Sequence, residues 1–309
     1  MTKFIRGIHN IKNCNSQHVV TIGNFDGFHR GHQVIIEKLK IESKYYNLPN
    51  IVIIFEPQPQ EFFYKTAYRL TNLRNKIKYL YEINIDKILC INFNKKFSLF
   101  NAYKFIVNIL VKKINMKCIV IGDDFHFGFN RKGNYIFLQK MAKKFKFNII
   151  QITTYTNNGE RISSTKIRNL LLQDRIEEAK LLLGHPYRIS GIVVSNKKLG
   201  RIIGYPTANI VLNKVILPVS GVYIVKVNNI FLYPVFGVAN ISSKITIFGY
   251  RQLLEVHLLD IDINLYGRII DVYLLKKIRK EKKFNSIEKL KQQISIDIVK
   301  TRDFIRNNI

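Results

Sequence analysis

Residues 21–32 read TIGNFDGFHRGH. Two imidazoles, His29 and His32, stand three positions apart with Gly31 between them, after a lead-in of Gly23, Asn24, Phe25, Asp26 and Gly27. An apolar run precedes the stretch and a helical apolar pattern follows it, so the segment reads as a turn leaving a strand and opening a helix. In open α/β sheets ligands bind at that edge. A helix N-terminus offers unpaired N–H groups and a positive dipole to phosphate, and glycines let the backbone come close. Both imidazoles can face one phosphate chain and, as donors, stabilise charge building on it during nucleotidyl transfer. Positioning and electrostatics suffice for such a step, with no protein nucleophile. The competing reading is that both histidines are ordinary turn residues.

Three further groups could do chemistry. In ISSTKIRNLL (162–171), Ser164 and Thr165 at a helix start can donate to phosphate, and Arg168 one turn on adds a cationic fork. Asp124 and Phe125 follow another apolar run, CIVIG, and suit a base; Phe125, Phe127 and Phe129 serve equally well as core. In GYPTAN (204–209), Pro206 stiffens a turn, and the Thr207 hydroxyl and Asn209 carboxamide are hard oxygen ligands of the kind that suits Mg²⁺, with phosphate oxygens completing the shell. A tight turn alone would also account for these residues.

These groups need elements to position them. Apolar, β-branched runs at 19–25, 50–57, 87–93, 118–125 and 147–153 alternate with helix-period stretches at 33–46, 71–83, 98–115 and 134–146. That alternation predicts βαβ units and a parallel sheet covered on both faces. Two more helices are expected over 163–173 and 174–183. After Gly184-His185-Pro186 the pattern changes to short alternating runs: YRISGIVV, GVYIVKV, FLYPVFGVANI, LLEVHLLDI and GRIIDVYLL. They predict a small antiparallel barrel or sandwich, closed by an amphipathic helix over 286–305 with Ser286 as its N-cap. The domain boundary is placed near 185, giving domains 1–185 and 186–309. No internal repeat or low-complexity linker is apparent.

The chain has 309 residues, above the size at which one core stops growing. No apolar run reaches the roughly 20 residues that span a bilayer, and the start lacks the pattern of a secretory signal. Cys14, Cys90 and Cys118 are far apart and form no zinc spacing, which fits a reduced, cytoplasmic setting. Lys and Arg number 50 against 21 Asp and Glu, a net charge of +29. Such charge suits a polyanion partner. It equally fits a compositional bias, because Lys, Asn and Ile are abundant along the whole length and the basic residues form no arm or tail. No specific nucleic-acid partner and no membrane association are expected.

GNFDGFHRGH resembles the signature of the HxGH nucleotidyltransferases, most closely that of the prokaryotic FAD synthetase module. FEPQPQEFF (55–63), IGDDFHFGFNRKGN (121–134) and ISSTKIRNLL are similar to its further segments, with Gln58 where the family has His and His126 where it has Arg. GYPTAN resembles the motif of riboflavin kinase, and LPVSGVY, FGVANI, LLEVHLLD and the C-terminal helix follow that family's order. The resemblance spans about residues 5 to 305. It implies a bifunctional enzyme with a Rossmann-like N-terminal nucleotidyltransferase domain and a C-terminal β-barrel kinase domain. Riboflavin, FMN, FAD and ATP are the implied ligands, with Mg²⁺ serving both steps.

The resemblance also implies residue roles. His29, His32 and Arg168 would act in adenylyl transfer. Glu255 would be the kinase base, and Lys197, Lys198, Gly200, Arg201, Pro206 and Thr246 would contact its ATP or flavin. Two departures stand out. Ser195-Asn196-Lys197-Lys198 replaces a Gly-bearing phosphate loop, and Ser242, Lys244 and Ile245 replace Gly, Arg and Pro while Thr246 is retained. Lys is not equivalent to Arg at a bidentate contact, and losing Gly and Pro is expected to loosen the loop. The kinase is therefore expected to be retained but weakened. The alternatives are an enzyme with adenylyl transfer alone, a nucleotidyltransferase acting on pyridine nucleotides or lipid head groups, and a nucleic-acid-binding protein.

Overall fold

The computed structural model describes residues 2–11, 16–64, 68–153, 155–157, 159–195, 199–212, 216–246 and 249–308. Lys197, Lys198 and Cys14 lie outside them, as do the side chains of Arg201 and Thr246. By contacts the chain forms two compact units, 1–67 with 76–163, and 68–75 with 164–309.

The first unit is built on strands β1 (Lys3–Arg6), β2 (His18–Ile22), β3 (Asn50–Glu56), β4 (Lys87–Asn92), β5 (Met116–Gly122) and β6 (Asn148–Ile152). They pair in parallel in the order β1-β4-β3-β2-β5-β6. Val19, Val20, Val52, Ile53, Ile88 and Ile119 are all fully buried or nearly so, as expected of strands covered on both faces. The connecting helices are α1 (Arg30–Tyr46), α2 (Pro59–Phe63), α3 (Leu73–Glu82), α4 (Lys95–Ser98), α5 (Ala102–Lys104) and α6 (Tyr135–Phe145). A two-stranded hairpin, β7 (Thr156–Asn157) and β8 (Glu160–Arg161), follows the sheet.

The single helix expected over 98–115 is broken. The Asn94 and Asn101 side chains each accept a backbone N–H three residues on, from Phe97 and Lys104, and so start two separate short helices. A π-helical stretch, Phe105–Val111, continues from the second, with most of its residues buried. The short edge strand β1 carries no signal readable from its four residues.

The second unit contains α7 (Ser164–Leu172), α8 (Ile176–Leu183), α9 (Leu199–Ile202) and α10 (Ile287–Asn308). Six antiparallel strands, β9 (Tyr187–Val194), β10 (Ala208–Leu212), β11 (Gly221–Asn228), β12 (Val235–Thr246), β13 (Gly249–Leu258) and β14 (Ile269–Arg279), close into a barrel in the order β10-β13-β12-β11-β14-β9. Cross-strand register puts Ile210, Leu254 and Ile241 in one interior layer and Ala208, Val256, Ala239 and Tyr223 in the next. Gly191 permits this packing, because a Cβ there would stand 2.4 Å from the Ile210 side chain. A piece of the early chain joins this unit: Arg69 N–H bonds the Ile216 carbonyl, and the buried Tyr187 hydroxyl donates to the Leu70 carbonyl at 2.8 Å.

The segment expected to be loosened by its substitutions runs instead as ladder. Ser242, Ser243, Lys244, Ile245 and Thr246 pair in unbroken register with Leu253, Gln252, Arg251, Tyr250 and Gly249. With Ile245 in place of Pro, every residue here carries the N–H that a ladder needs.

Candidate active sites

In the first unit, β2 is the strand at which the sheet changes direction: β3 and β4 lie to one side of it, β5 and β6 to the other. The carboxyl ends of β2 and β5 flank that switch point, the place where open sheets bind ligands. Residues 23–29 form the turn there. The Gly23 N–H bonds the Ile53 carbonyl of β3, and His29 is the N-cap of α1 in extended conformation. Phe25 (φ 46°), Gly27 (φ 81°) and Phe28 (φ 45°) all have left-handed backbones, a density of strain that clusters at functional sites. Phe25 and Asp26 are each 1% exposed, so the turn is built inward. Asn24 lies within it, half-buried.

The two histidines meet. Their ring centroids are 3.6 Å apart at 20° between planes, and Phe25 packs 5.1 Å from His32. Gly31 makes this stack possible, since a Cβ there would sit 3.2 Å from the His29 ring, closer than ordinary contact. The Ile162 carbonyl lies 3.9 Å from the same point, so the chain passes beside this turn just before Ser164. The first turn of α1 carries no acidic residue to oppose an anion.

Asp124 follows β5, is largely exposed and forms an ion pair with Arg161 at the end of β8. Phe125 and Phe127 stack at 5.2 Å against the core, and Phe129 is 40% exposed. The side chain of Gln58, at the position of the family's His, closes the start of α2 as a capping box with Glu61.

Past the carboxyl ends of β3 and β4 lies an aromatic shelf not read from sequence: Phe62, Phe63 and Phe93, with ring centroids 5.2–6.0 Å apart. Phe63 is 62% exposed. The signal available was the EFF run two residues after Pro59 and the Phe directly following β4.

Ser164 and Thr165 stand in the first turn of α7 with Arg168 one turn on, as the sequence predicted. That helix is counted with the second unit.

In the second unit, Asn209 on β10, Glu255 on β13 and Asn240 on β12 are direct cross-strand neighbours. Leu254 and Val256 fill the interior, so this row lies on the outer face of the barrel. Asn240 Nδ2 donates to Glu255 Oε2 at 3.4 Å. The Asn209 amide reaches back to the Thr207 carbonyl at 3.2 Å, drawing the two oxygen-bearing side chains together. Gly200 lets the turn close over α9, because a Cβ there would meet the Tyr205 carbonyl at 2.5 Å, and the Tyr205 N–H bonds the Gly200 carbonyl.

A cavity of about 50 Å³ opens beside Thr207 and Asn209, walled by Val193, Val256 and Leu258 and by the loop 261–266. The sequence reading missed β10 and that loop, in which Asp262, Asn264 and Tyr266 supply polar lining. Among the described residues no cluster of three His, Cys, Asp or Glu could hold a metal. Thr207 and Asn209 instead offer two neutral oxygens, a donor set that fits a hard divalent cation arriving with phosphate ligands.

The comparisons with known proteins divide along the same line. A FAD synthetase family model matches residues 11–166, and a riboflavin kinase family model matches residues 183–305. The chain is 47% identical over 305 residues to the bifunctional riboflavin kinase/FMN adenylyltransferase of Escherichia coli K12, covering 98% of this chain and 97% of that protein. It is 48% identical to the protein of the same name from Buchnera aphidicola of Schizaphis graminum, covering 96% of each. A crystal structure described as a macrolide-efflux protein from Streptococcus pneumoniae superposes with a TM-score of 0.80 at 30% identity, covering 97% of this chain and 98% of that one. Among the described residues no helix is long and apolar enough to cross a membrane. With two motif sets standing on two folds, and relatives that match it from end to end, the chain belongs to the bifunctional riboflavin kinase/FMN adenylyltransferase family.

Proposed function

We infer that this enzyme makes FMN and then FAD at two separate sites. Residues 1–185 are the adenylyltransferase domain and residues 186–309 the kinase domain. The observation that carries this reading is the pairing of a stacked His29–His32 turn at a parallel-sheet switch point with an Asn209–Glu255 cross-strand pair on a barrel, Thr207 standing in the turn before it.

In the kinase domain, Glu255 accepts the proton of the riboflavin 5′-hydroxyl as that oxygen attacks the γ-phosphorus of ATP, and ADP leaves. Thr207 and Asn209 would hold Mg²⁺ together with the ATP phosphates, and the ion would offset phosphate charge. Gly200, Arg201, Pro206, Lys197, Lys198 and Thr246 border the nucleotide and flavin. The wall formed by the loop 261–266 and Val193 takes the adenosine end. Lys244 in place of Arg weakens phosphate binding and leaves a slower kinase.

In the adenylyltransferase domain, an FMN phosphate oxygen attacks the α-phosphorus of ATP and pyrophosphate leaves. His29 and His32 donate to the phosphate oxygens that gain charge, and the α1 N-terminus adds N–H groups and dipole. Gly23, Asn24, Phe25, Asp26, Gly27 and Gly31 shape that cradle. Ser164, Thr165 and Arg168 bind the phosphate chain, and Asp124 the nucleoside. The exposed rings of Phe62 and Phe63, backed by the half-buried Phe93, suit stacking with a planar isoalloxazine. The enzyme works in the cytoplasm and has no specific nucleic-acid partner.

Single substitutions test the separation of sites. His32→Ala should lower FAD formation from FMN by about 10²–10³-fold and leave FMN formation from riboflavin intact. Glu255→Gln should do the converse, by about 10²–10⁴-fold. Loss of both activities from either substitution, in folded protein, would overturn the assignment.

A further inference from the structure

We propose that His257 is a positioning residue of the kinase site, which holds the turn presenting Thr207 and Asn209 through a hydrogen bond to the Pro206 carbonyl. The proposal rests on the assignment of the kinase to the second unit.

His257 lies two residues beyond Glu255 on β13 and therefore shares its outer face. Its Nδ1 is 2.9 Å from the Pro206 carbonyl oxygen, and the imidazole N–H donates. The contact spans 51 residues of sequence and joins the strand that carries the base to the turn that carries the metal ligands. Its ring meets Tyr205 edge-on, at 5.5 Å and 86°. The Tyr205 hydroxyl shares a 2.7 Å hydrogen bond with Ser295 on α10, so the ring that packs on His257 is itself held.

The bond acts on one specific degree of freedom. The pyrrolidine ring fixes φ at Pro206, and the peptide that follows is planar. What remains is rotation about ψ of Pro206, which swings the Pro206 carbonyl and the Thr207 N–H together. Donation from His257 pins that rotation. The Asn209 amide then bonds the next carbonyl, that of Thr207, at 3.2 Å. Two successive carbonyls are thus fixed, one by His257 and one by a metal ligand itself. Without the first bond the Thr207 hydroxyl and Asn209 carboxamide would sample a range of separations, and the cation they hold with ATP would bind more weakly.

The test uses the full-length protein. His257→Ala should raise the KM for Mg·ATP in FMN formation, and the Mg²⁺ concentration for half-maximal rate, about tenfold, with a smaller change in kcat. Calorimetric titration with Mg·ADP should show one of two sites weakened by a similar factor. FAD formation from FMN should not change, which makes the other domain an internal control. His257→Asn, whose amide nitrogen reaches near the position of Nδ1, should recover most of the loss. Unchanged KM and Mg²⁺ dependence in His257→Ala, or a drop in melting temperature alone, would overturn the proposal. So would an Asn variant no better than Ala. A wild-type protein that makes no FMN from riboflavin would instead refute the kinase assignment beneath it.

Discussion

Gly31 separates the two histidines because only a residue without Cβ leaves the His29 ring its place, 3.2 Å from where that atom would stand. Gly31→Ala should therefore displace His29 by a few tenths of an ångström. We expect FAD formation to fall about tenfold while the melting temperature holds, because the fault lies in alignment rather than burial. An unchanged rate would mean that the stack is not what the reaction uses. At this scale the sequence was informative: the histidines, the glycine lead-in and the Thr207–Asn209 pair were legible because their spacing is local. His257 was not, since its partner lies 51 residues away and only the β10–β13 pairing brings them together. The aromatic shelf was hidden for the same reason, as Phe62 and Phe93 come from different strand ends.

The elements that carry the sites are secured at the opposite edge of the sheet and at the end of the chain. His18 opens β2 fully buried; its Nδ1–H donates to the Ile114 carbonyl at 2.7 Å and its Nε2 accepts from Lys87 Nζ at 2.7 Å. Burial first, and the Lys87 ammonium second, hold its pKa below the ordinary 6.5. The unfolded chain thus takes the proton more readily than the folded one. The stability contributed by neutral His18 is complete above about pH 6.5 and is lost as the pH falls below it. Urea unfolding between pH 7.5 and 5 should show that loss in the wild type and a flatter profile in His18→Asn; identical slopes would contradict it.

At the chain's end, α10 is pinned to the barrel by Asp297, 1% exposed, which accepts from Arg279 Nε and Nη2 at 2.8–3.1 Å and from Gln293. Asp297→Ala strands a cation with little access to water and should cost about 3–5 kcal/mol in urea unfolding; a cost below about 1 kcal/mol would show that the helix is held otherwise. Element types were mostly readable from periodicity. The exceptions include the short elements β1, β7, β8 and α9, the strand β10, masked by the turn residues of PTAN, and the 98–115 helix. There two Asn caps and an apolar run buried on most sides removed the one-sided pattern on which such readings depend.

For the whole molecule, two folds with two motif sets were visible as a change from helix–strand alternation to short regular strands near residue 185. The return of 68–75 to the second unit was not, because nothing in those eight residues marks a long-range docking. The charge of +29 is spread along the chain, and no described element gathers it into a nucleic-acid motif. Fluorescence anisotropy with duplex and single-stranded DNA should accordingly show weak binding that disappears between 50 and 200 mM salt. Tight binding that persists at physiological salt would assign the charge a role of its own.

The central claim is that one chain carries riboflavin through FMN to FAD at two sites. It is tested most directly by incubating the purified protein with ATP and Mg²⁺, starting one reaction from riboflavin and another from FMN, and separating the three flavins over time. The account predicts FAD in both, with FMN appearing before FAD in the first and its formation the slower step. FAD from FMN alone would mean that the substituted segments at 195–198 and 242–246 have silenced the kinase. Neither product from folded protein would contradict the account as a whole.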